Sequence, residues 1–214
     1  MDLVLFGIQG SGKGTQSKMI AEKCGLDIFE AGGALRKISA EDSELGRKVK
    51  SIIEAGHLVP SEVVMEIVAD FLRHLPEGTG ALFDGIPRSK DQQEQFDALM
   101  EKEGREFKGL YIDLTEDQAM KRLTTRRICV KCKEVFPAYY EKDKCEKCGG
   151  DLITRSDDTP DAIKIRLSTF TEKTMPVIKD YENRGKILKV NGDLPISKVS
   201  TDIIEVLRPH FHVN

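Results

Sequence analysis

The 214-residue chain has no tryptophan, and aromatic residues of all kinds make up only 6% of it. No apolar run approaches the ~18–20 residues of a membrane-spanning helix, so no membrane partner is expected. No leader sequence is expected either. Met1-Asp2-Leu3-Val4-Leu5-Phe6-Gly7 has no basic start, and its apolar stretch is too short for a signal peptide. The expected location is therefore cytoplasmic. There is no excess of positive charge: 33 Lys and Arg against 36 Asp and Glu give a net charge of −3. A general nucleic-acid coat needs a basic surface, so no nucleic-acid partner is expected. Any phosphate chemistry must rest on cations gathered locally. Disordered and low-complexity classes are excluded, because the 39% of hydrophobic residues recur along the whole chain.

Cysteine is scarce as well, yet four of the five cysteines fall within twenty residues, as Cys129-x-x-Cys132 and Cys145-x-x-Cys148. Two such knuckles twelve residues apart suit one tetrahedral ion with four thiolates and no open position, a structural Zn²⁺ site. An S₄ set also accepts iron. Four thiolates and a dication sum to −2, and Lys131, Lys133, Lys144 and Lys147 stand where they would offset it. The fifth, Cys24, reads as a packed thiol.

The chain alternates between two hydrophobic periods. Short apolar strands are expected at 2–6, 81–83, 109–114 and 187–190. Helical patterns run over 13–24, 33–40, 44–55, from 60 onward, 89–103, 115–125, 160–183 and 196–207. Ser61 is placed to cap the helix beginning near Pro60, and Thr115 to cap the next-but-one. Strands alternating with helices predict an α/β fold, a parallel sheet with helices on both faces. Two stretches stand outside that alternation. The expected organisation is a core from 1–29, 60–125 and 159–214, an insertion at 30–59 and a second at 126–158.

Between the first strand and first helix stands Gly7-Ile8-Gln9-Gly10-Ser11-Gly12-Lys13-Gly14-Thr15. Glycines let backbone N–H groups turn inward on phosphate oxygens, the helix N-terminus adds partial positive charge, and Lys13 adds a full one. The motif departs from the general phosphate loop, because Gly14 follows the lysine and Thr15 comes one later.

That loop, together with Asp84-Gly85-Ile86-Pro87-Arg88 and Arg126-Arg127, resembles the adenylate kinase family over essentially the whole chain and in the same order. The resemblance implies a phosphate-loop core, an AMP-gripping insertion and a zinc-bearing lid of the kind found in some bacterial members. It implies phosphoryl transfer from MgATP to AMP, giving two ADP, by a monomer. Residue by residue, it places Gly10, Ser11, Gly12, Lys13, Gly14, Thr15, Arg122, Arg126, Val135, Phe136 and Leu194 against ATP. It places Ala31, Arg36, His57, Leu58, Val59, Gly85, Ile86, Pro87, Arg88, Gln92, Arg155 and Arg166 against AMP. Lys13, Arg88, Arg122, Arg126, Arg155 and Arg166 would carry the chemistry, and Asp84 would organise Mg²⁺ through water.

The chemistry accounts for so many arginines. An acceptor phosphate is ionised at neutral pH, its second pKa being about 6. No base is required to make the nucleophile. The enzyme must hold two polyanions in line and neutralise the charge of transfer. Arginine's planar fork does this better than lysine. Asp157 and Asp158 either pair with such arginines or cap a helix. One departure concerns the acceptor: the family usually reads Thr-Gly-Asp where this chain has Ala31-Gly32-Gly33. Weaker AMP affinity or looser base choice is the expected consequence. Two other readings stay open on sequence: a kinase for GMP, UMP or CMP, and a zinc protein that binds nucleotide without turning it over.

Overall fold

Leu3, Val4, Leu5 and Phe6 form an unbroken apolar run, as a strand covered on both faces requires, and each is at most 2% exposed. The computed structural model describes residues 1–136 and 140–213. In chain order the elements are β1 (Asp2–Phe6), α1 (Lys13–Cys24), β2 (Leu26–Glu30), α2 (Ala31–Ser39), α3 (Glu44–Glu54), α4 (Ser61–His74), β3 (Gly80–Asp84), α5 (Lys90–Lys102), β4 (Phe107–Asp113) and α6 (Glu116–Thr124). They continue with β5 (Arg127–Cys129), β6 (Val135–Phe136), β7 (Leu152–Ile153), α7 (Pro160–Thr169), a π-helical turn (Phe170–Thr174), α8 (Met175–Asn183), β8 (Ile187–Asn191) and α9 (Ile196–Leu207).

Five strands pair in the order β2-β3-β1-β4-β8, every pairing parallel. Alternate side chains of β1 enter opposite cores. Leu3 and Leu5 pack with Ile20 of α1 and Ile203 and Leu207 of α9. Val4 and Phe6 pack with Val64 of α4, Phe96 of α5 and Ile178 of α8. The second core is threaded by edge-to-face rings: Phe83–Phe96 at 5.2 Å, Phe96–Phe107 at 5.4 Å and Phe107–Tyr181 at 5.3 Å, a geometry that aligns ring edge with ring face. The sheet is thus a middle layer between two helical ones, as the alternation predicts. At its amino end Asp2, 1% exposed, accepts hydrogen bonds from Ala81 N–H at 2.8 Å and from Arg105 Nε at 2.7 Å and Nη2 at 2.6 Å. This clamp lies at the opposite edge from the carboxyl ends, where α/β proteins build their crevice.

Four details differ from the sequence expectation. An extra edge strand, β2, pairs with β3 alone in the sheet. Its neighbour α2 starts at Ala31, two residues before the expected 33. Ser61 is the first helical residue of α4, with Pro60 (φ −48°, ψ 139°) as the extended residue before it; the ring fixes φ and the helix starts from there. The helix expected over 160–183 is interrupted by the π-helical turn at 170–174. Thr115 caps α6 as expected, accepting from Gln118 N–H, while the cap of α7 is Thr159, which accepts from Ala162 N–H at 3.3 Å. Residues 127–153 carry a separate three-stranded antiparallel sheet, β6-β5-β7. Among the described residues, no helix is long and apolar enough to cross a membrane.

Candidate active site

Because β1 is central and all five strands are parallel, the 7–15 loop opens at the carboxyl edge beside Asp84. Leu5 of β1 and Asp84 of β3 are register partners. The loop turns into α1 at Gly12, whose φ of +95° suits only a residue without Cβ. Lys13 folds back on the loop, donating to Gly7 O at 2.6 Å and Ile8 O at 3.2 Å. Desolvation there brings its pKa down to about 8, against the opposing pull of Asp84. Ser11 Oγ and Gln9 Oε1 are buried without a protein partner among the described residues. Buried polar atoms are nearly always bonded, so these two are free to bond a group bound in the cleft.

The loop forms one wall of a cleft of about 680 Å³. Gly10, Ser11, Gly12, Lys13, Gly14 and Thr15 line it, joined by Ala31, Arg36, His57, Leu58 and Val59 from the first insertion. Asp84, Gly85, Arg88 and Gln92 line its floor; Arg122, Arg126, Val135, Phe136, Arg155, Arg166 and Leu194 complete it. All the residues expected against the nucleotides therefore meet in one place except two. Ile86 and Pro87 are buried behind the wall, Ile86 in the aromatic core. The backbone turns at Gly85 (φ +87°) and carries both side chains inward.

Arg88 is held at every backbone group. Its N–H donates to Gln92 Oε1 at 2.8 Å, its carbonyl accepts from Thr174 Oγ1 at 2.8 Å, and its Nε donates to Gly85 O at 2.6 Å. The guanidinium ends remain for the cleft. Burial lowers its pKa, with Asp84 opposing. Burial likewise raises the Asp84 carboxyl, while Lys13 and Arg88 pull it back. Oxygen donors of this kind beside substrate phosphates suit Mg²⁺.

The other five arginines each have a carboxylate nearby. Asp158, its side chain 0% exposed, accepts from Arg126 Nε at 2.9 Å and Nη2 at 2.7 Å, and from Arg166 Nη2 at 2.7 Å. Arg155 Nε donates to Asp157 at 2.8 Å. Burial would raise the Asp157 carboxyl, but the bond and charge of Arg155 hold it below its usual value. Arg36 Nη2 donates to Glu30 Oε1 at 2.8 Å. Arg122 donates to Gly192 O at 3.0 Å and lies 3.6 Å from Asp193. Of the two roles open to Asp157 and Asp158 in the sequence, pairing holds; the cap of α7 is Thr159.

The four knuckle sulfurs lie within 4.8 Å of one another. Cys129 and Cys148 are 3.4 Å apart, Cys132 and Cys145 3.6 Å. A tetrahedron with metal–sulfur bonds of ~2.3 Å has edges of roughly 3.8 Å, so the thiols fit one ion. The neighbouring lysines are largely engaged elsewhere: Lys144 with Asp151, Lys147 with Glu134 at 3.2 Å and Lys133 with Val130 O at 2.9 Å. Glu134 also meets Lys18 of α1 at 3.5 Å, joining the small sheet to the phosphate-loop helix.

Two residues on this site carry no signal of their own in the sequence. Thr174 reaches Arg88 from the far end of the π turn. Glu30 lines the cleft at the end of the strand that the hydrophobic pattern did not reveal.

A glycine loop at the carboxyl end of the central strand, with its Lys13, and six arginines around a single cleft define a phosphate-loop phosphotransferase. The comparisons with known proteins narrow the class. The family model described as Adenylate kinase matches residues 5–186. Adenylate kinase of Oceanobacillus iheyensis is 37% identical over 212 residues, covering 97% of this chain and 99% of the relative. Those of Kosmotoga olearia and a Dehalococcoides mccartyi strain are each 36% identical, over 212 and 211 residues, covering 97% of this chain and 99% and 98% of the relatives. The chain belongs to the adenylate kinase family, and its reaction is phosphoryl transfer from ATP to AMP, giving two ADP.

Proposed function

We propose that the two nucleotides share the cleft with their phosphates meeting at Arg88. Lys13, Arg122 and Arg126, with the backbone of Gly10–Thr15, hold the triphosphate. Arg36, Arg88, Arg155 and Arg166 hold the acceptor phosphate and the group in flight. The observation that carries this reading is the convergence of these cations, from separate chain segments, on one cleft. A protein that only binds nucleotide has no use for cations on both sides of the transfer. Asp158 fits a positioning role, since one buried carboxylate orients both Arg126 and Arg166. Mg²⁺, which adenylate kinases use with ATP, would neutralise phosphate charge when bound, and Asp84 is the carboxylate that would hold it.

Residues 1–29, 60–125 and 159–214 act as the core, 30–59 as the AMP-gripping insertion and 126–158 as a lid. The lid carries Val135 and Phe136 over the nucleotide and excludes water, which would otherwise accept the phosphoryl group. Cys129, Cys132, Cys145 and Cys148 hold a structural Zn²⁺ in that lid. A reducing, cytoplasmic compartment suits such thiols.

Base choice follows from Gln92. Its Oε1 faces the Arg88 N–H, so the amide NH₂ is left for the base. A donor there meets the acceptor N1 of adenine but opposes the ring N–H of guanine and uracil. His57, Leu58, Val59 and Ala31 give the base an apolar and backbone wall, and Leu194 does the same for ATP. Initial rates of ADP formation from MgATP with AMP, GMP, UMP and CMP test this. AMP is expected to lead GMP and UMP by at least about tenfold in kcat/KM, the cost of opposing two buried donors. A faster rate with GMP or UMP would overturn the base assignment.

A further inference from the structure

Glu30 ends β2 and is the register partner of Asp84 on β3, so two carboxylates stand side by side at the carboxyl edge. Its bond to Arg36 differs in kind from the other pairs made by the acceptor-side arginines. The partners Asp157 and Asp158 are 14% and 0% exposed, and Arg155 and Arg166 are 17% and 11% exposed. Glu30 is 55% exposed and Arg36 40%. Buried pairs are permanent parts of a site, whereas exposed ones exchange readily with competing ions. The start of α2 is also shaped around this pair. A Cβ at Gly32 would fall 2.9 Å from Arg36 Nη1, and one at Gly33 would fall 3.1 Å from Glu30 Oε2. Gly33, which stands where the family usually has Asp, and Gly32, which the family shares, therefore leave the space that the ion pair fills.

We propose that Glu30 sets the affinity for the acceptor: its carboxylate occupies the Arg36 fork in the empty cleft and is displaced when the acceptor phosphate arrives. This rests on the assignment of Arg36 to the acceptor phosphate. The exchange makes and breaks no covalent bond. The displaced carboxylate stays beside Asp84 and faces an incoming dianion, so competition for the fork and like-charge repulsion act in one direction. Both raise KM for AMP. Neither bears on ATP, whose cations Lys13, Arg122 and Arg126 come from other segments.

Calorimetric titration of AMP and initial rates on the native protein, Glu30→Gln, Arg36→Gln and the double variant test the proposal. Glu30→Gln keeps shape and removes charge. It is expected to bind AMP about two- to fivefold more tightly, the range of an exposed ion pair, and to lower KM for AMP by the same factor. KM for ATP should stay within about twofold. Arg36→Gln should weaken AMP, and in that background Glu30→Gln should lose its effect on the fork. If Arg36→Gln weakens AMP but Glu30→Gln leaves the affinity unchanged or lower, the competitor role is wrong and the acceptor assignment stands. If Arg36→Gln leaves AMP binding untouched, the assignment of Arg36 falls, and the proposal with it.

Discussion

Arg88→Ala is expected to lower kcat by on the order of 10³-fold, the loss typical of an arginine that meets a transferring phosphoryl group, or about 4 kcal/mol of transition-state stabilisation. The structure gives this side chain a fixed origin. Gln92 and Thr174 hold the backbone N–H and carbonyl, and Gly85 O holds Nε, so the terminal nitrogens reach the cleft without further ordering. Preorganised charge of this kind acts where charge develops in the transition state. Arg88→Lys keeps the charge but loses the fork, and should recover only part of the rate. Steady-state kinetics at saturating MgATP and AMP check both. An Arg88→Ala enzyme with native kcat would remove Arg88 from the chemistry.

The second large effect is expected on removing the lid metal. Among the described residues the small sheet has little else to fold around: its buried apolar cluster is Cys129, Phe136 and Cys145, with Cys132, Tyr140 and Leu152 at its margin. Half of those side chains are thiols. A cluster this small cannot order a segment unaided, and metal binding is then folding energy. Metal analysis should find about one zinc per chain. Strong chelation or Cys145→Ser should lower the melting temperature and reduce kcat/KM for MgATP by at least about tenfold, the lower end of losses seen when a metal site is disturbed. The parallel sheet and its two cores lie outside the cluster, so most of the far-ultraviolet circular dichroism should remain. Unchanged stability and kinetics after complete metal removal would exclude a structural ion.

Much of this was legible in the sequence because it depends on local chemistry. The β1–loop–α1 unit follows from an apolar run, glycines and a lysine. Thr115, Pro160 and Gly185 mark helix ends by their own side chains or lack of them. The cysteine spacing defines four ligands before any fold is known. What escaped depends on tertiary partners. In β2 only Leu26 and Phe29 are buried, and Ile28 is 37% exposed, so neither alternation nor a continuous apolar run marks it. The π turn at 170–174 stands just before Pro176, whose ring cannot continue the helical ladder, but its product, the Thr174 bond to Arg88, spans 86 residues and has no local signal. The carboxylate partners of the arginines were legible only in part, since pairing was one of two roles open to Asp157 and Asp158 and Glu30 carried no signal. Asp158 serves Arg126 and Arg166 because Thr159 takes the cap. Glu30 meets Arg36 because Gly32 and Gly33 leave room.

The most direct test is a crystal structure with a bisubstrate analogue, two adenosines joined through five phosphates. The expected result has Lys13, Arg122 and Arg126 on one half of the phosphate chain and Arg36, Arg88, Arg155 and Arg166 on the other, with Gln92 on the acceptor-side adenine and Glu30 released from Arg36. A phosphate chain bound elsewhere, with Arg88 and Arg36 still facing Gly85 and Glu30 alone, would contradict it.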